Sequence, residues 1–359
     1  MTTSTPIIYS TVDWTGLPAS LFRIPALAIT NNGTLVTCYD SRNISPADIP
    51  NNVDIVCRRS TNYGYSWEPR KIVALHGGDG TQAGSIGMGD PCLIYDPSVG
   101  VNGRLFCHYA YSPVGIGWPN SGYGNSVGST NTLHPYVKYS DDHGVTWSAG
   151  EDLIASIKNN TMTGVFASGG KGVQLSNGSL LIPYCWKDGS GQYAGYVISN
   201  DHGVTWSRVA SVLGSGIDEH KVIQLNDQSL FDTGRPLDSS GVRKFSRASS
   251  IAGPWSTVNS SLPDPKCNGD VIRVDPVNGN SKSSWLLHSN CNDVNLRRNL
   301  TVYLSVNNGS TWPYSIVIEP GLAAYSTMIM MPDGSVGCFY EKGDQQLTFA
   351  RFHVDIFGA

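Results

Sequence analysis

The chain has 359 residues, of which 40% are hydrophobic and only 14% are charged, and its formal net charge is -4 at pH 7. This length is compatible with one large all-β domain, and because no run of basic residues is present, nucleic-acid binding has no electrostatic support. No stretch reads as a membrane span, and an anionic ligand would have to be held by local arginines because the overall field is slightly repulsive.

The N-terminus, the sequons and the cysteines bear on the compartment of the protein. Residues 1–10 lack the basic and apolar regions of a signal peptide. Seven Asn-x-Ser/Thr sequons, at positions 32, 43, 159, 177, 259, 299 and 308, favour a secreted or extracellular protein and leave a cytoplasmic one open. Six of the eight cysteines occur in apolar strand-like runs, which is typical of small buried side chains. Cys267 and Cys291 occur in polar sequence and are the better disulfide candidates.

One turn motif recurs along the chain with the pattern Ser-x-Asp/Asn-x-Gly-x-Ser/Thr-Trp. Its copies occupy residues 60–67, 140–147, 199–206 and 305–312, and a degraded copy ends at Trp255. Successive tryptophans, counting the degraded copy, are 80, 59, 49 and 57 residues apart. These spacings fall in the period range of propeller blades.

The residue types of this motif suit a tight turn between two strands. The Asp or Asn at the third position can cap its own turn, and the glycine supplies the positive φ that the turn needs. The tryptophan is a large apolar anchor that can pack against the sheet. We therefore expect each copy to form a β-hairpin turn.

A second repeat consists of small-residue turns followed by β-rich runs, and these turns begin near residues 33, 103, 178, 228, 283 and 334. No segment shows sustained helical periodicity with caps. Six units of this kind predict an all-β fold, namely a six-bladed β-propeller of four-stranded antiparallel blades. We expect the strand near residues 7–10 to complete the last blade, and residues 115–132 to form an inserted loop on a functional face.

The motif Phe22-Arg23-Ile24-Pro25, followed by these turns, resembles the non-viral exo-α-sialidase (neuraminidase) family, in which the repeated turn is called the Asp box. The resemblance extends from Arg23 to Glu341. It implies one catalytic propeller domain over residues 1–359 without an accessory lectin domain, retaining hydrolysis of terminal sialic acids, and no cofactor or metal. The implied partners are sialylated glycans, glycoproteins or glycolipids, and the implied state is a monomer.

The resemblance also identifies a set of three arginines for the substrate carboxylate, which fixed guanidinium groups bind in bidentate geometry. Arg23 lies in the first motif, Arg235 follows sixteen residues after Glu219, and Arg298 precedes the last Asp box. Arg297 is adjacent to Arg298, and strand alternation places only one of the two on the inner face. The spacing to residue 305 favours Arg298.

Tyr325, in the segment GLAAYS, matches the nucleophile of the family, and Glu219 matches the base that takes its proton. Most glycosidases use a carboxylate nucleophile, and sialidases with tyrosine are an exception. A neutral phenol avoids repulsion by the carboxylate of the substrate. Asp218 is a rival for the role of Glu219. The acid/base matches Asp48, which lies in a loop, whereas the runner-up Asp54 lies in a strand-like run.

Three further residues take roles from the resemblance. Arg42 matches an arginine that contacts the O4 side of the sugar, and Asp90 matches its carboxylate neighbour. Glu341 matches the acid that orients Arg23, and such a pair would keep the guanidinium fixed.

Two other functions stay open at this point, namely a trans-sialidase and a non-catalytic sialic-acid-binding propeller. A trans-sialidase needs an aromatic acceptor site, for which the candidates are Tyr109, Tyr111, Trp118 and Tyr123. The preference among Neu5Ac, Neu5Gc and Kdn depends on the pocket for the C5 substituent, with residues 87–89 and the 115–132 loop as candidates.

Overall fold

A computed structural model describes residues 6–14, 21–82, 84–213, 216–274, 282–343 and 346–359. Over these ranges the fold is all-β and propeller-like, with one short α-helix, α1 (Ile154–Ile157), and one 3-10 helix, η1 (Val354–Phe357). Neither of these described helices has the length or apolar character that crossing a membrane requires.

The strands follow one another along the chain with short connections. In order they are β1 (Ile8–Trp14), β2 (Leu21–Ile29), β3 (Leu35–Arg42), β4 (Val53–Ser60), β5 (Lys71–Ala74), β6 (Gly77–Gly78), β7 (Ser85–Asp96), β8 (Arg104–Ser112), β9 (His134–Ser140), β10 (Glu151–Asp152), β11 (Met162–Ala167), β12 (Gly170–Lys171), β13 (Val173–Gln174), β14 (Leu180–Asp188), β15 (Gln192–Ser199), β16 (Ser207–Val212), β17 (Ile217–Gln224), β18 (Leu230–Pro236), β19 (Lys244–Ala248), β20 (Ser256–Val258), β21 (Asp270–Arg273), β22 (Leu286–Cys291), β23 (Arg298–Ser305), β24 (Tyr314–Met330), β25 (Ser335–Lys342) and β26 (Gln346–His353).

Sequential antiparallel pairing organises these strands into sheets. Two sheets have the orders β2-β3-β4-β5 and β17-β18-β19-β20. A third contains β7 to β10 with β6 and β12 added on β7, and a fourth has the order β11-β14-β15-β16 with β13 added on β14. A seven-stranded sheet has the order β1-β26-β25-β24-β23-β22-β21.

The 17-residue strand β24 joins two halves of the seven-stranded sheet. Its first half pairs with β23 as far as Leu322, and its second half pairs with β25 from Ala323 onward. Strand β1 pairs antiparallel with β26. The N-terminal strand therefore completes the last sheet of the chain, which confirms that prediction.

The hydrophobic core lies between neighbouring sheets. One cluster combines Cys38 and Cys57 of the first sheet with Leu93 and Leu105 of the next. All eight cysteines are buried free thiols. Those in the strand-like runs are small core side chains, as predicted. Cys267 and Cys291 are also free, so the disulfide for which they were candidates is not formed.

The Asp boxes form the predicted hairpin turns. In the box after β9, Ser140 Oγ accepts a hydrogen bond from Gly144 N at 2.8 Å and donates to Asp142 Oδ1 at 2.7 Å. Asp142 Oδ1 also accepts from Thr146 N at 2.9 Å. In the other boxes the glycine N likewise donates to the serine Oγ, and the glycines of all four boxes have φ between 79° and 85°. Each turn is therefore closed by its own side chains.

Each box also connects its sheet to the preceding one. In the box after β15, a Cβ at Gly203 would overlap the ring of Phe106 in β8, so only glycine fits there. The box tryptophan, Trp206, packs edge-on against the same Phe106 ring at 5.5 Å between centroids. The boxes follow the third strand of a sheet, while the connection from the second to the third strand lies at the opposite edge. That opposite edge carries the candidate site.

Candidate active site

β-bulges interrupt the first strands of several sheets at one edge of the propeller. The pairing register shifts between Gly89 and Cys92 in β7, between Ile217 and His220 in β17, and between Ala323 and Ser326 in β24. Asp90, Glu219 and Tyr325 lie inside these three interruptions. A bulge bends its strand and re-aims side chains, and bulges are enriched beside active sites. The strand geometry thus turns these three residues toward one point.

These bulges surround a pocket of about 260 Å³. Its lining combines charged residues with an apolar wall, and consists of Arg23, Ile24, Asp48, Ile49, Asp90, Trp118, Leu133, Phe166, Asp218, Glu219, Arg235, Arg297 and Tyr325. Strand β2 contacts β7, β12 and β24, and β21 contacts β17 and β24. The pocket therefore lies where the first strands of the sheets converge.

A tyrosine, a carboxylate and an arginine form the centre of the pocket. Tyr325 OH donates to Glu219 Oε2 at 2.5 Å, and Arg235 Nη1 donates to the same oxygen at 2.7 Å and to Tyr325 OH at 2.8 Å. Burial raises the pKa of Tyr325 well above its usual value, and Glu219 adds to the rise while Arg235 and Arg297 oppose it. The phenol is therefore protonated at rest, in contact with a carboxylate that can take its proton.

Two more guanidinium groups flank this phenol. The Cζ atoms of Arg23 and Arg297 lie 5.5 and 5.4 Å from the centre of the Tyr325 ring. Glu341 fixes Arg23, because its Oε2 lies 2.9 Å from Arg23 Nε, and its Oε1 accepts from Ile24 N at 2.8 Å. The predicted Arg23–Glu341 pair is thus confirmed. Three positive charges converge on the side of the pocket that holds Tyr325.

The third arginine of the pocket is Arg297, and the choice of Arg298 was wrong. Arg298 is 48% exposed and its Nε donates to Asp293 Oδ2 at 2.6 Å, away from the pocket. The physical reason is local backbone geometry. Asn299 has a φ of 53°, and the register of β23 shifts between Arg298 and Leu300. Strand alternation counted back from residue 305 therefore fails at this point.

Asp48 lies on the connection between β3 and β4, where its side chain is 80% exposed at the mouth of the pocket. Its Oδ1 lies 2.6 Å from Arg42 Nη2, and Arg42 Nη1 donates to Pro46 O at 2.8 Å. Arg42 is buried and contacts the β3–β4 connection through Asp48 and Pro46. A direct contact between Arg42 and the sugar stays a prediction. The runner-up Asp54 accepts from His76 N at 2.7 Å, in keeping with the structural role expected of it.

Two neighbouring carboxyl groups, the buried Asp40 and the half-buried Asp90, lie near Asp48. Asp90, at a φ of 59°, donates from its backbone N to Asp40 Oδ1 at 3.0 Å. Burial raises the pKa of Asp40 to about 6, an effect that Arg42 opposes. Burial also raises the pKa of Asp90 well above its usual value, with Asp40 and Asp48 acting in the same direction. These effects favour the protonated form of Asp90, which can donate a hydrogen bond to a hydroxyl.

Asp218 also lines the pocket, beside Glu219. Its Oδ1 accepts from Gln192 Nε2 at 2.5 Å, and its Oδ2 lies 3.7 Å from Arg235 Nε. Burial raises the pKa of Asp218 to about 6, and the Glu219 carboxylate acts in the same direction. Of the two rivals, Glu219 is the one that contacts Tyr325.

The opposite end of the pocket is apolar. Ile49, Leu133, Phe166 and Trp118 form this wall, and the Trp118 and Phe166 rings meet edge-on at 4.8 Å. Trp118 comes from the 115–132 loop, so this loop reaches the candidate site. Sequence reasoning did not find the other three, because an isolated Ile, Leu or Phe in a strand-rich chain looks like any core residue.

The other aromatic candidates for an acceptor site lie elsewhere. Tyr109 is buried and packs on Tyr136, and Tyr111 is stacked on the same ring at 5.0 Å. Tyr123 is exposed and does not line the described pocket. Of the four candidates, Trp118 alone is among the residues of the described pocket.

Comparison with known proteins identifies a family and several relatives of this chain. Residues 26–338 match the family model of the BNR repeat-like domain. A sialidase of Micromonospora viridifaciens is 33% identical over 342 residues, which cover 93% of this chain and 51% of the relative. A sialidase of Bacteroides fragilis is 28% identical over 343 residues, covering 92% of this chain and 62% of the relative. The chain thus spans about half to three fifths of the length of these two relatives.

A solved structure gives the same result. The Hadza microbial sialidase Hz136 superposes with a TM-score of 0.85 at 28% identity, covering 94% of this chain and 66% of that one. The chain belongs to the BNR repeat-like domain family. These relatives are sialidases, which confirms the resemblance to the non-viral sialidase family that the sequence motifs indicate.

Proposed function

We propose that this chain is an exo-α-sialidase that hydrolyses terminal sialic acids of glycoconjugates with retention of configuration. One observation carries the proposal: the Tyr325 hydroxyl lies 2.5 Å from Glu219 Oε2, in a pocket lined by Arg23, Arg235 and Arg297. A nucleophile paired with its base beside three guanidinium groups suits a sugar that carries a carboxylate on its anomeric carbon.

The three arginines would bind the carboxylate of the sugar. Arg235 already contacts both Glu219 and Tyr325, so the bound carboxylate would bring the anomeric carbon next to the phenol oxygen. A carboxylate nucleophile in this place would be repelled by the substrate. The neutral phenol that burial maintains avoids this repulsion until its proton is removed.

The reaction would proceed in two displacements. Tyr325 attacks the anomeric carbon and passes its proton to Glu219, while Asp48 protonates the departing oxygen, so that a sugar–tyrosine bond replaces the glycosidic bond. Asp48 then takes a proton from water, which attacks the same carbon, and the released Tyr325 oxygen regains its proton from Glu219. Two inversions give net retention. The exposed position of Asp48 fits this exchange with leaving group and water.

The apolar wall favours an N-acetyl group at C5. Ile49, Trp118, Leu133 and Phe166 offer a methyl group an apolar contact but give a hydroxyl no partner. We therefore expect the order Neu5Ac, then Neu5Gc, then Kdn in kcat/KM. Equal values for Neu5Ac and Kdn glycosides would contradict this assignment.

The proposed fold has six blades. The two halves of the seven-stranded sheet, divided within β24, would each count as one blade beside the four other sheets. Sialylated glycoproteins and glycolipids would be the partners of a monomeric enzyme.

The decisive test is the Tyr325→Phe variant. It should lose about 10³-fold or more in kcat, as expected when a covalent nucleophile is removed. It should still bind free sialic acid, because the three arginines remain. Proton NMR should show the α-anomer released first by the wild-type protein. First release of the β-anomer, or full activity of Tyr325→Phe, would refute the mechanism.

A further inference from the structure

The second oxygen of Glu219 has a partner that the reaction scheme above does not use. Tyr325 and Arg235 both contact Oε2, while Oε1 accepts from Asn268 Nδ2 at 3.4 Å. The same amide nitrogen donates to Ser168 O at 3.0 Å. Both protons of the Asn268 amide are therefore directed to acceptors, one of which is the candidate base.

A buried lysine fixes the other end of this amide. Lys221 Nζ donates to Asn268 Oδ1 at 2.9 Å, to Ser168 O at 3.2 Å and to His220 O at 3.4 Å. Three acceptors match the three protons of an ammonium group. The Lys221 residue is only 1% exposed. Burial lowers its pKa, an effect that nearby Asp270 opposes.

The backbone provides a slot for this lysine. Gly170 has a φ of 89°, and a Cβ at that position would overlap Lys221 Cε. Only glycine adopts this positive φ without strain and also lacks the Cβ that would overlap Lys221. The absence of a Cβ at Gly170 therefore leaves room for the Lys221 side chain, which contacts Ser168 and Asn268.

We propose that Lys221 is a positioning residue that, through the Asn268 amide, holds Glu219 in the orientation required to accept the Tyr325 proton. This inference rests on the function proposed above. The reason is the asymmetry of an amide. With Lys221 present, the amide oxygen must face the ammonium group, so the NH2 group faces Glu219. A flipped amide would set its oxygen against Glu219 and Ser168 O, acceptor against acceptor, and its NH2 group against an ammonium.

A second lysine in the same region provides a matched control. Lys171 Nζ lies 2.5 Å from both carboxylate oxygens of Asp270. Asp270 keeps Thr327 Oγ1 and Met328 N as donors when this lysine is removed. Among the described contacts, Lys171 bonds to neither Asn268 nor Glu219. Lys171→Met therefore removes a positive charge nearby and leaves the amide contact intact.

The experiment measures kcat, KM and the Kd of free sialic acid for Lys221→Met, Lys171→Met, Asn268→Ala and Asn268→Asp. Misplacing a reacting group by about 1 Å can cost about 100-fold, so Lys221→Met should lower kcat by roughly 100-fold. The Kd should stay within about twofold, because the three arginines are untouched. Lys171→Met should have little effect on either quantity. A lysine that merely fills the core would change Kd and kcat together.

The Asn268 variants keep the test decisive even when Lys221→Met fails to fold. Aspartate is nearly isosteric and still accepts from Lys221, but it presents an oxygen to Glu219 as a flipped amide would. We therefore expect kcat to fall in the order wild type, Asn268→Ala, Asn268→Asp, whereas a structural role would make aspartate the milder change. In the Asn268→Ala background, Lys221→Met should add little.

If the wild-type protein is active, two outcomes would overturn the Lys221 proposal without affecting the proposed sialidase function. One is an unchanged kcat for Lys221→Met, and the other is higher activity for Asn268→Asp than for Asn268→Ala. A wild-type protein that hydrolyses no sialoside would overturn the proposed function as well, so the two failures are distinguishable.

Discussion

Arg297 and Arg298 offer a comparison between adjacent residues of the same type. Arg297 lines the pocket and lies over the Tyr325 ring, whereas Arg298 is half exposed and paired with Asp293. We predict that Arg297→Ala strongly lowers kcat/KM and that Arg298→Ala leaves it nearly unchanged. The two substitutions remove the same charge one residue apart, so overall electrostatics are matched.

The expected magnitude follows from the contacts that each side chain makes. A hydrogen bond to a charged group contributes about 1.5–3 kcal/mol, which corresponds to a factor of roughly 10–150 in binding. Arg297→Ala should therefore raise KM and the Kd of sialic acid by that factor, with Arg23 and Arg235 still in place. Arg298 contributes an exposed ion pair, and such pairs contribute little to stability. Its loss should change kcat/KM by less than about twofold.

The assay is hydrolysis of a fluorogenic Neu5Ac glycoside, with the Kd of sialic acid from calorimetry and thermal unfolding to confirm folding. Arg297→Lys is an informative intermediate, because it keeps the charge and loses the bidentate fork. It should lie between wild type and Arg297→Ala. A larger loss in Arg298→Ala than in Arg297→Ala would refute the bulge argument and restore the choice made by strand alternation.

Three further predictions concern the proposed acid Asp48, the carboxyl group of Asp218 and the glycines of the turns. Asp48→Asn should lose about 10²–10⁴-fold on a glycan substrate and much less on an aryl glycoside, whose leaving group needs no proton; equal losses would contradict the acid role. The pKa of Asp218 is about 6 when folded, above the value of about 3.9 for an unfolded chain, so the folded state binds more protons between these values. Stability from this group is present below about pH 4 and is lost as pH rises through about 6, and Asp218→Asn should remove that dependence from urea unfolding curves. Gly203→Ala should cost about 2–4 kcal/mol, from positive φ and overlap with Phe106. Gly178→Ala, with a φ of 89° and open space around the new Cβ, should cost only about 1–2 kcal/mol, and an equal loss for both would exclude the overlap.

The repeated turns and the Tyr325–Glu219 pair could both be predicted from the sequence, for different reasons. An Asp box closes on itself within eight residues, as the Ser140, Asp142 and Gly144 bonds show, so each copy can be recognised alone. Tyr325 and Glu219 were identified by their match to the sialidase family, and the structure brings them into contact across 106 positions of the chain.

Arg297, Asn268 and Lys221 could not be assigned from the sequence, because no local sequence pattern marks them as residues of the site. Whether residue 297 or residue 298 faces inward depends on the positive φ of Asn299, which no alternation rule contains. Asn268 and Lys221 are 47 positions apart, and each looks like an ordinary polar residue near a strand. Their roles exist only after the sheets have closed around the pocket.

The position of the bulges explains how one fold combines rigidity with a demanding site. One face of the fold carries the Asp boxes, and each box turn is closed by hydrogen bonds among its own residues. The box glycines and tryptophans also contact the preceding sheet, as Gly203 and Trp206 contact Phe106. The other face carries interrupted strands, in which Asp90 has a φ of 59° and neighbouring carboxyl groups are buried at a cost. Such unfavourable local geometry persists only when the surrounding structure over-determines it. A substitution that destabilises an Asp-box turn far from the pocket should therefore lower the free energy of unfolding first. It should impair catalysis only when the bulge at Glu219 or Tyr325 changes its conformation.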